Sequence, residues 1–435
     1  MTQDLPTADA PLWWTADQAA AHLGVRRTSL YSYVSRGLLP AHPLPGGRGK
    51  RYRADDVRRL AAQRRQARGG PQVAGAALDW GQPVLSSALS HLWQGRLHYR
   101  DQDAVAWSQT ASLEDTAQLL WGEAVASPGP SATPDDGPSA SAPLLSCTPA
   151  QALQAVQRAL GGQPPDLTGW PLVRQVAQAL LAAGAPPAAP PPPTGLPDGP
   201  LHLALAARWG VPSQPGWAGH LRQALVLCAD HELNASTFVA RCAAATGAPE
   251  AACVAAALAT LTGPRHGGAT ALIEADWDRW LQAAQGTARA LAAVVRQLLA
   301  DRGPLAAGCV AFGHVLYPQG DPRAAALLAA LPADPALDRL LAEVVRQSGL
   351  APSLDFALVA LRRALGLPRG AAFQLFALGR TVGWIAHARE QRHSGGFIRP
   401  RARYVGPLPA PAAAAAGPAA PPKGRVVRCV GPGRR

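Results

Sequence analysis

From Ala235 to Thr262 apolar residues recur at mixed three- and four-residue spacing, and the stretch stops at Gly263-Pro264. That is the pattern of a helical region with one buried face. The same spacing predicts a long helical region over Ala269–Leu299, interrupted near Gly286, and helices over Leu354–Leu365 and Gly370–Gln391. Another runs to about Gln347, with Asp334 as N-cap and Pro335 at the first helical position. Near the front, Thr15 caps a helix through Leu23, Gly24 makes a tight turn, and a second helix runs from Arg27 or Thr28 to about Ser35. Ala19, Ala20, Leu23, Leu30 and Val34 would pack these two together. No alternating run of β-branched residues exceeds four, so the body is expected to be all-α.

Three low-complexity stretches interrupt the pattern: 127–142, 183–200 and the tail from Gly406. They absorb much of an unusual content of 43 Gly and 43 Pro, cannot bury a core, and are expected as exposed loops or disorder. With 435 residues, two or three domains are expected. The net charge of +13 sits at the ends. Residues 1–70 hold 12 Lys/Arg against five Asp, and 406–435 hold five Lys/Arg and no acid, which leaves +1 between them. A basic small domain points to nucleic acid, and a neutral body to ordinary globular chemistry. The six cysteines form no CxxC, which argues against a zinc site or a disulfide framework. There is no basic start followed by an apolar run, and no apolar stretch of about 18 residues. The expected compartment is a reducing cytoplasm, with no membrane partner.

Residues 13–65 carry AAAHLGV, then TSLYSYVSRGLLP, then a basic GGRGKRYRADDVRRL. This string resembles a MerR-like or excisionase-like winged helix-turn-helix, assigned to 1–70. In such folds the second helix enters the major groove and the wing touches phosphates. Arg26, Arg27, Ser29, Tyr31 and Ser32 are then candidate groove residues, and Arg48, Lys50, Arg51 and Arg53 candidate phosphate contacts. A protein-docking module with a solvated basic face is the alternative.

The body carries ADHELNASTF from Ala229, GPRHGG around His266, AFGHVLYPQGDPRA from Ala311, PSLDF around Asp355, and GRTVGW followed by Ile398-Arg399-Pro400. Such a set, ordered from His231 to Arg399, resembles citrate synthase, and GRLHYRDQDAVAWSQTASLEDTAQLLWG at 95–122 is similar to the family's amino-terminal segment. The resemblance spans about 95–405. It implies an all-α body with a large domain at 75–264 plus 361–405 and a small domain at 265–360, while the composition of 406–435 predicts a disordered basic tail. It implies condensation of acetyl-CoA with oxaloacetate and water to citrate and CoA, an acyltransferase reaction of the tricarboxylic acid cycle. Acetyl-CoA is a substrate, and neither cofactor nor metal is called for.

The resemblance also distributes roles. His266 would donate a hydrogen bond to the thioester oxygen as the enol forms, Asp355 would remove the methyl proton, and His314 would bind and protonate the oxaloacetate carbonyl. His231, Arg323, Arg380 and Arg399 would hold the dicarboxylate, with Arg399 reaching in from the partner of a homodimer. The chemistry is coherent. A carboxylate is too weak a base for a carbon acid unless the forming oxyanion is stabilised at the same moment. His266 precedes Gly267-Gly268 and a helix, whose dipole would keep the ring neutral. Arginine pairs bidentately with carboxylates and never loses its charge. No role falls to His220, His387 or His393. The departures from the family are GGAT for GGANE, AFGH for GFGH, a run without a basic residue after His314, and Ser353-Leu354 before the Asp. They leave substrate choice open: propionyl-CoA, giving 2-methylcitrate, differs by one methylene. A DNA-binding regulator that senses CoA esters or dicarboxylates is the second class of reading.

Overall fold

The computed structural model describes residues 13–35, 39–43, 49–54, 56–57, 60, 85–125, 146–162, 164, 166–184, 196–211, 216–300, 309–400 and 405–406. Arg48, the side chain of Ser32, the 127–142 stretch and most of 183–200 and of the tail lie outside them. The chain falls into two compact units, 1–72 with 399–435, and 73–398.

The first unit holds β1 (Trp13–Thr15), α1 (Ala16–Leu23), α2 (Arg27–Ser35), β2 (His42–Pro43) and β3 (Lys50–Arg53), with strand order β1-β3-β2. Thr15 opens α1 in a capping box with Gln18, and Gly24 ends it in the left-handed region at φ 60°. Ala19, Ala20, Leu23 and Leu30 are buried with Leu39, Tyr52, Val57 and Leu60, while Val34 packs at the edge. The expected two-helix core is therefore present.

The second unit begins with a small sheet the sequence pattern did not predict: β4 (Ser90–Trp93), β5 (Arg96–Tyr99) and β6 (Gln102–Asp103). Its strands are two to four residues long, too short for an alternation to register. The hairpin turn is Gln94-Gly95, both at positive φ, as a two-residue primed turn requires. Helices follow: α3 (Ala104–Trp107), α4 (Leu113–Trp121), α5 (Pro149–Gly161), α6 (Gly169–Leu181), α7 (Leu201–Arg208) and α8 (Trp217–Cys228). The region read as continuous over 235–262 is two helices, α9 (Ala235–Ala245) and α10 (Glu250–Leu261). Gly247 takes φ 83° between them, and Pro249 caps α10 where it costs no helical N–H bond. Then come α11 (Ala269–Gln285), α12 (Ala288–Ala300), α13 (Pro322–Ala329), α14 (Pro335–Ser348), α15 (Leu354–Ala364) and α16 (Ala371–Ser394). The break at Gly286 and the Asp334 cap on α14 stand as expected.

One hydrophobic core runs through this unit, and α16 lies at its centre, buried from Ala371 to Ala388. A helix apolar on every side belongs inside. The two polar exceptions that matter below, Arg380 and His387, lie on this buried stretch.

Candidate functional site

Four chain segments converge. The first is the turn after α8. Asp230 and His231 are buried, and Glu232 is held at φ 50°, costly for a residue with a side chain. The β4–β5 hairpin holds it there. The Glu232 N–H donates to Ser90 Oγ at 3.0 Å, and Glu232 Oε1 accepts from the Leu92 N–H at 2.8 Å. Ser90 Oγ in turn donates to Asp230 Oδ2. Asn234 then caps α9, accepting from the Thr237 N–H at 3.2 Å.

The second segment is the GPRHGG turn between α10 and α11. A Cβ on Gly267 would come within 2.7 Å of the Leu261 side chain, and one on Gly268 within 2.2 Å of the Thr262 carbonyl oxygen. The glycine pair lets the turn fold tightly onto the end of α10, which fixes the backbone of His266. Its Nε2 lies 2.9 Å from Ser236 Oγ, and Ser236 Oγ also accepts from Trp384 Nε1–H at 3.1 Å.

The third segment ties two loops together. Phe312 bridges Pro352, the Gly313 N–H donates to the Ala351 oxygen at 2.8 Å, and the Ser353 N–H donates to the Ala311 oxygen at 2.9 Å. That tie sets His314 beside the first turn of α15. Ser353, not Asp355, caps the helix, accepting from the Phe356 N–H at 3.3 Å. Asp355 is therefore not spent on capping. Its Oδ1 is buried without a hydrogen-bond partner among the described residues. Two residues before α13, Gly320 leads into Asp321, which caps that helix and grips Arg323 along one edge, Nε to Oδ1 at 3.0 Å and Nη2 to Oδ2 at 2.7 Å.

The fourth segment is α16. A Cβ on Gly379 would sit 2.5 Å from the Leu225 oxygen, and one on Gly383 2.2 Å from the Ala229 oxygen. These two glycines, one turn apart, bring α16 against the end of α8. Arg380 is thereby buried, and its Nε donates to the Cys228 oxygen at 2.7 Å.

The rings interlock. His231 and His314 lie edge to face at 5.3 Å, His314 and Tyr317 at 5.0 Å, and the Arg323 guanidinium lies over the Tyr317 ring at 5.2 Å. His266 meets Phe376 edge-on at 6.0 Å, and Arg380 lies over the same ring at 5.0 Å. His231, His266, His314, Asp355, Arg323 and Arg380 thus share one cation-rich region, with His231, Arg323 and Arg380 buried and the other three half-buried. Arg399 is exposed, belongs to the terminal unit, and is not part of this cluster.

Burial dominates the titration. It pulls His266 down to about 3, with Arg380 adding to the effect, and His314 down to about 4, with Arg323 adding. His231 falls well below the usual histidine range through burial, then Arg323. All three rings are neutral at pH 7. For His266 the expected neutrality holds, but desolvation and a nearby guanidinium cause it. Burial lifts Asp355 to about 7, against the opposing pull of Arg323. Burial alone would raise Asp230, but His387 and Arg380 hold it below the usual carboxylate range. Burial alone would lower Arg323, but Asp321 holds it above its usual range.

Sequence reasoning missed the supporting groups. His387, given no role, has Nε2 3.2 Å from Asp230 Oδ2, while Arg241 Nη1 lies 3.2 Å from His387 Nδ1 and donates to Glu390 at 2.6 Å. Tyr317, Ser236 and Trp384 were also passed over. All three lie inside the quoted motifs, Tyr317 three positions after His314 and Ser236 five after His231, so a polar residue close to a histidine was the available signal for these two.

In the terminal unit Arg26, Arg27, Tyr31, Lys50 and Arg53 are exposed, and Ser29 is half-buried. Arg27 is shared with Asp17 at 3.4 Å and with Tyr31. Arg51 is laid over the Trp13 ring at 4.1 Å, and its Nε is buried without a partner among the described residues. The exposed cations lie on α2, on the residue before it and on β3, as a helix-turn-helix interface needs. Arg51 is largely committed to the sheet.

Comparison with known proteins agrees with both units. The citrate synthase C-terminal domain profile matches residues 142–401, and a helix-turn-helix domain profile matches 13–65. Citrate synthase of Haloferax volcanii is 37% identical over 196 residues, 42% of this chain and 49% of that protein. The 2-methylcitrate synthase of Shewanella oneidensis is 35% identical over 195 residues, 42% of this chain and 50% of that protein. The chain thus spans about half the length of the curated relatives it matches. In fold it resembles Thermoplasma acidophilum citrate synthase, solved in ternary complex with carboxymethyl coenzyme A and oxaloacetate, at a TM-score of 0.54 and 22% identity over 75% of this chain and 95% of that one. Among the described residues no helix is long and apolar enough to cross a membrane. With the family profile covering well over half of its length, the chain belongs to the citrate synthase family.

Proposed function

We propose that the body condenses acetyl-CoA with oxaloacetate and water to give citrate and CoA. The observation that carries this reading is the tie between the 311–314 and 351–353 segments. It sets a carboxyl poised near pH 7 beside a neutral imidazole, in a region that also holds the buried Arg323 and Arg380 guanidinium groups. Asp355, as carboxylate, takes a methyl proton from the thioester. His266 donates its N–H to the thioester oxygen as the enol forms, which lowers a barrier a lone carboxylate could not cross. Ser236 donating to Nε2 would leave that proton on Nδ1. The enol carbon attacks the oxaloacetate carbonyl carbon while His314 gives its proton to the carbonyl oxygen. Water then cleaves the citryl thioester and releases CoA.

The Leu316 N–H donates to His314 Nδ1 at 3.1 Å, so the proton His314 offers is on Nε2. His231, Arg323 and Arg380 hold the dicarboxylate. Asp321 occupies the Nε–Nη2 edge of Arg323, so a ligand carboxylate would meet its Nη1 side. His266, His314, Arg323 and Asp355 come from 265–360, and His231 and Arg380 from outside it. That distribution suits a small domain closing over a large one to keep water from the thioester. Arg399 would complete the site from the second subunit of a homodimer.

The test is CoA release from acetyl-CoA, followed with a thiol reagent and dependent on oxaloacetate. Asp355→Ala is expected to lose at least about a hundredfold in kcat while still binding oxaloacetate; equal turnover would remove the base assignment. The relative named 2-methylcitrate synthase supports a second acyl donor, propionyl-CoA. The ratio of kcat/KM for the two thioesters decides between them. For the terminal unit we propose DNA binding through α2 and the exposed cations of β3, with a protein-docking role as the outcome if no DNA is retained.

A further inference from the structure

Tyr317 is buried, and its hydroxyl lies 2.9 Å from His231 Nε2. Among the described residues that nitrogen is the hydroxyl's one hydrogen-bond partner. A buried O–H that accepted here would have nowhere to place its own proton, at a cost of about 1–3 kcal/mol. Donation is therefore the satisfied arrangement. The ring is held for it on both faces of the motif: His314 packs against it at 5.0 Å and the Arg323 guanidinium covers it at 5.2 Å. His231 cannot rotate freely to escape, because its backbone is fixed by the strained Glu232 turn and by the Asn234 Nδ2 donation to the His231 oxygen at 3.3 Å.

We infer that Tyr317 is a positioning residue that donates to His231 Nε2 and thereby fixes His231 as the Nδ1–H tautomer, a donor for an acceptor oxygen of the bound 2-oxo dicarboxylate. Phenylalanine at this position would keep the packing and lose the tautomer. Burial holds the Tyr317 hydroxyl up at about 12, so it keeps its proton throughout the working range. The neutral ring of His231 can then recognise a ligand oxygen without adding a third charge between two guanidinium groups. The kinetic consequence rests on the dicarboxylate reading above; the tautomer does not.

The experiment uses the full chain labelled with 15N in histidine, and long-range proton–nitrogen correlation to read the ring tautomer, with His231→Gln assigning the signal. The wild type is expected to show a protonated Nδ1 and a bare, hydrogen-bonded Nε2. In Tyr317→Phe the signal should shift towards the Nε2–H form. The same variant should raise KM for oxaloacetate about tenfold, with kcat within about twofold and KM for the acyl-CoA unchanged. A protonated Nε2 in the wild type would overturn the assignment, as would a Tyr317→Phe protein with an unaltered tautomer. If the variant does not fold, the wild-type spectrum decides alone. A wild type that shows the Nδ1–H form yet releases no CoA would sink the proposed reaction and leave the role of Tyr317 standing.

Discussion

Among the described residues Asp355 Oδ1 has no hydrogen-bond donor, and burial holds the carboxyl's proton up to about pH 7 instead of 3.8. Between those values the folded chain binds a proton that the unfolded chain has released. Stability contributed by this residue is therefore lost as pH rises from about 4 to 7, and the penalty is complete above 7. Asparagine has nearly the same shape and no charge to desolvate. Asp355→Asn is thus expected to melt several degrees above the wild type at pH 8 and within about a degree of it at pH 4. Melts showing no pH dependence of that difference would contradict the desolvated carboxyl. The histidines act in the opposite range. His266 at about 3 and His314 at about 4 stay neutral when folded and charge when unfolded, so stability falls as pH drops below 6.5. If Asp355 is the base, kcat/KM should climb through about pH 7 as it loses its proton, since the histidines stay neutral throughout.

At the scale of elements the site depends on how closely α16 approaches α8. Gly379 and Gly383 remove two side chains from that contact, and Arg380 lies between them on the same helix. A methyl at 383 would come 2.2 Å from the Ala229 oxygen and 2.7 Å from Asp230 Oδ1, both within two residues of His231. Backbone cannot yield there cheaply, because the hairpin pins Glu232. Gly383→Ala is expected to cost about 1–3 kcal/mol of stability and to weaken oxaloacetate binding more than acyl-CoA binding, as calorimetry with each ligand would show. Equal affinity for oxaloacetate in a destabilised protein would separate the glycine from the site. Much of this layer was legible in the sequence, because caps and turns are local: Thr15, Asp334 and the Gly286 break stand as read. The break between α9 and α10 also carried a local signal, Gly247 and Pro249, which the apolar periodicity masked. Of the seven residues singled out on motif resemblance, six lie in one cluster, and the exposed Arg399 does not. What sequence could not supply was the support around them. Ser90 lies 140 residues from Asp230, and His387 157 residues from it. Bonds of that separation follow from packing, and no spacing rule along the chain encodes them.

Across the whole molecule charge and chemistry are divided between two units with separate cores. The two guanidinium groups of the cluster, Arg323 and Arg380, are buried, whereas Arg26, Lys50 and Arg53 of the terminal unit are exposed. Exposed cations contribute little to stability but bind a polyanion by releasing its counterions, with an affinity that falls steeply in salt. The two activities should therefore separate by mutation in the intact chain. Arg26→Glu with Arg53→Glu is expected to weaken retention of duplex DNA at low salt by about tenfold or more and to flatten the slope of log affinity against log salt by roughly two. CoA release should stay within about twofold of the wild type, since neither residue lies in the unit that holds the cluster. Arg51 is spared in this design because its guanidinium covers Trp13, and reversing it would test the sheet instead of the interface. A wild-type protein that retains no DNA at low salt would turn α2 and β3 into a docking face for another protein. A double variant with unchanged retention would move the DNA contact elsewhere on the basic ends.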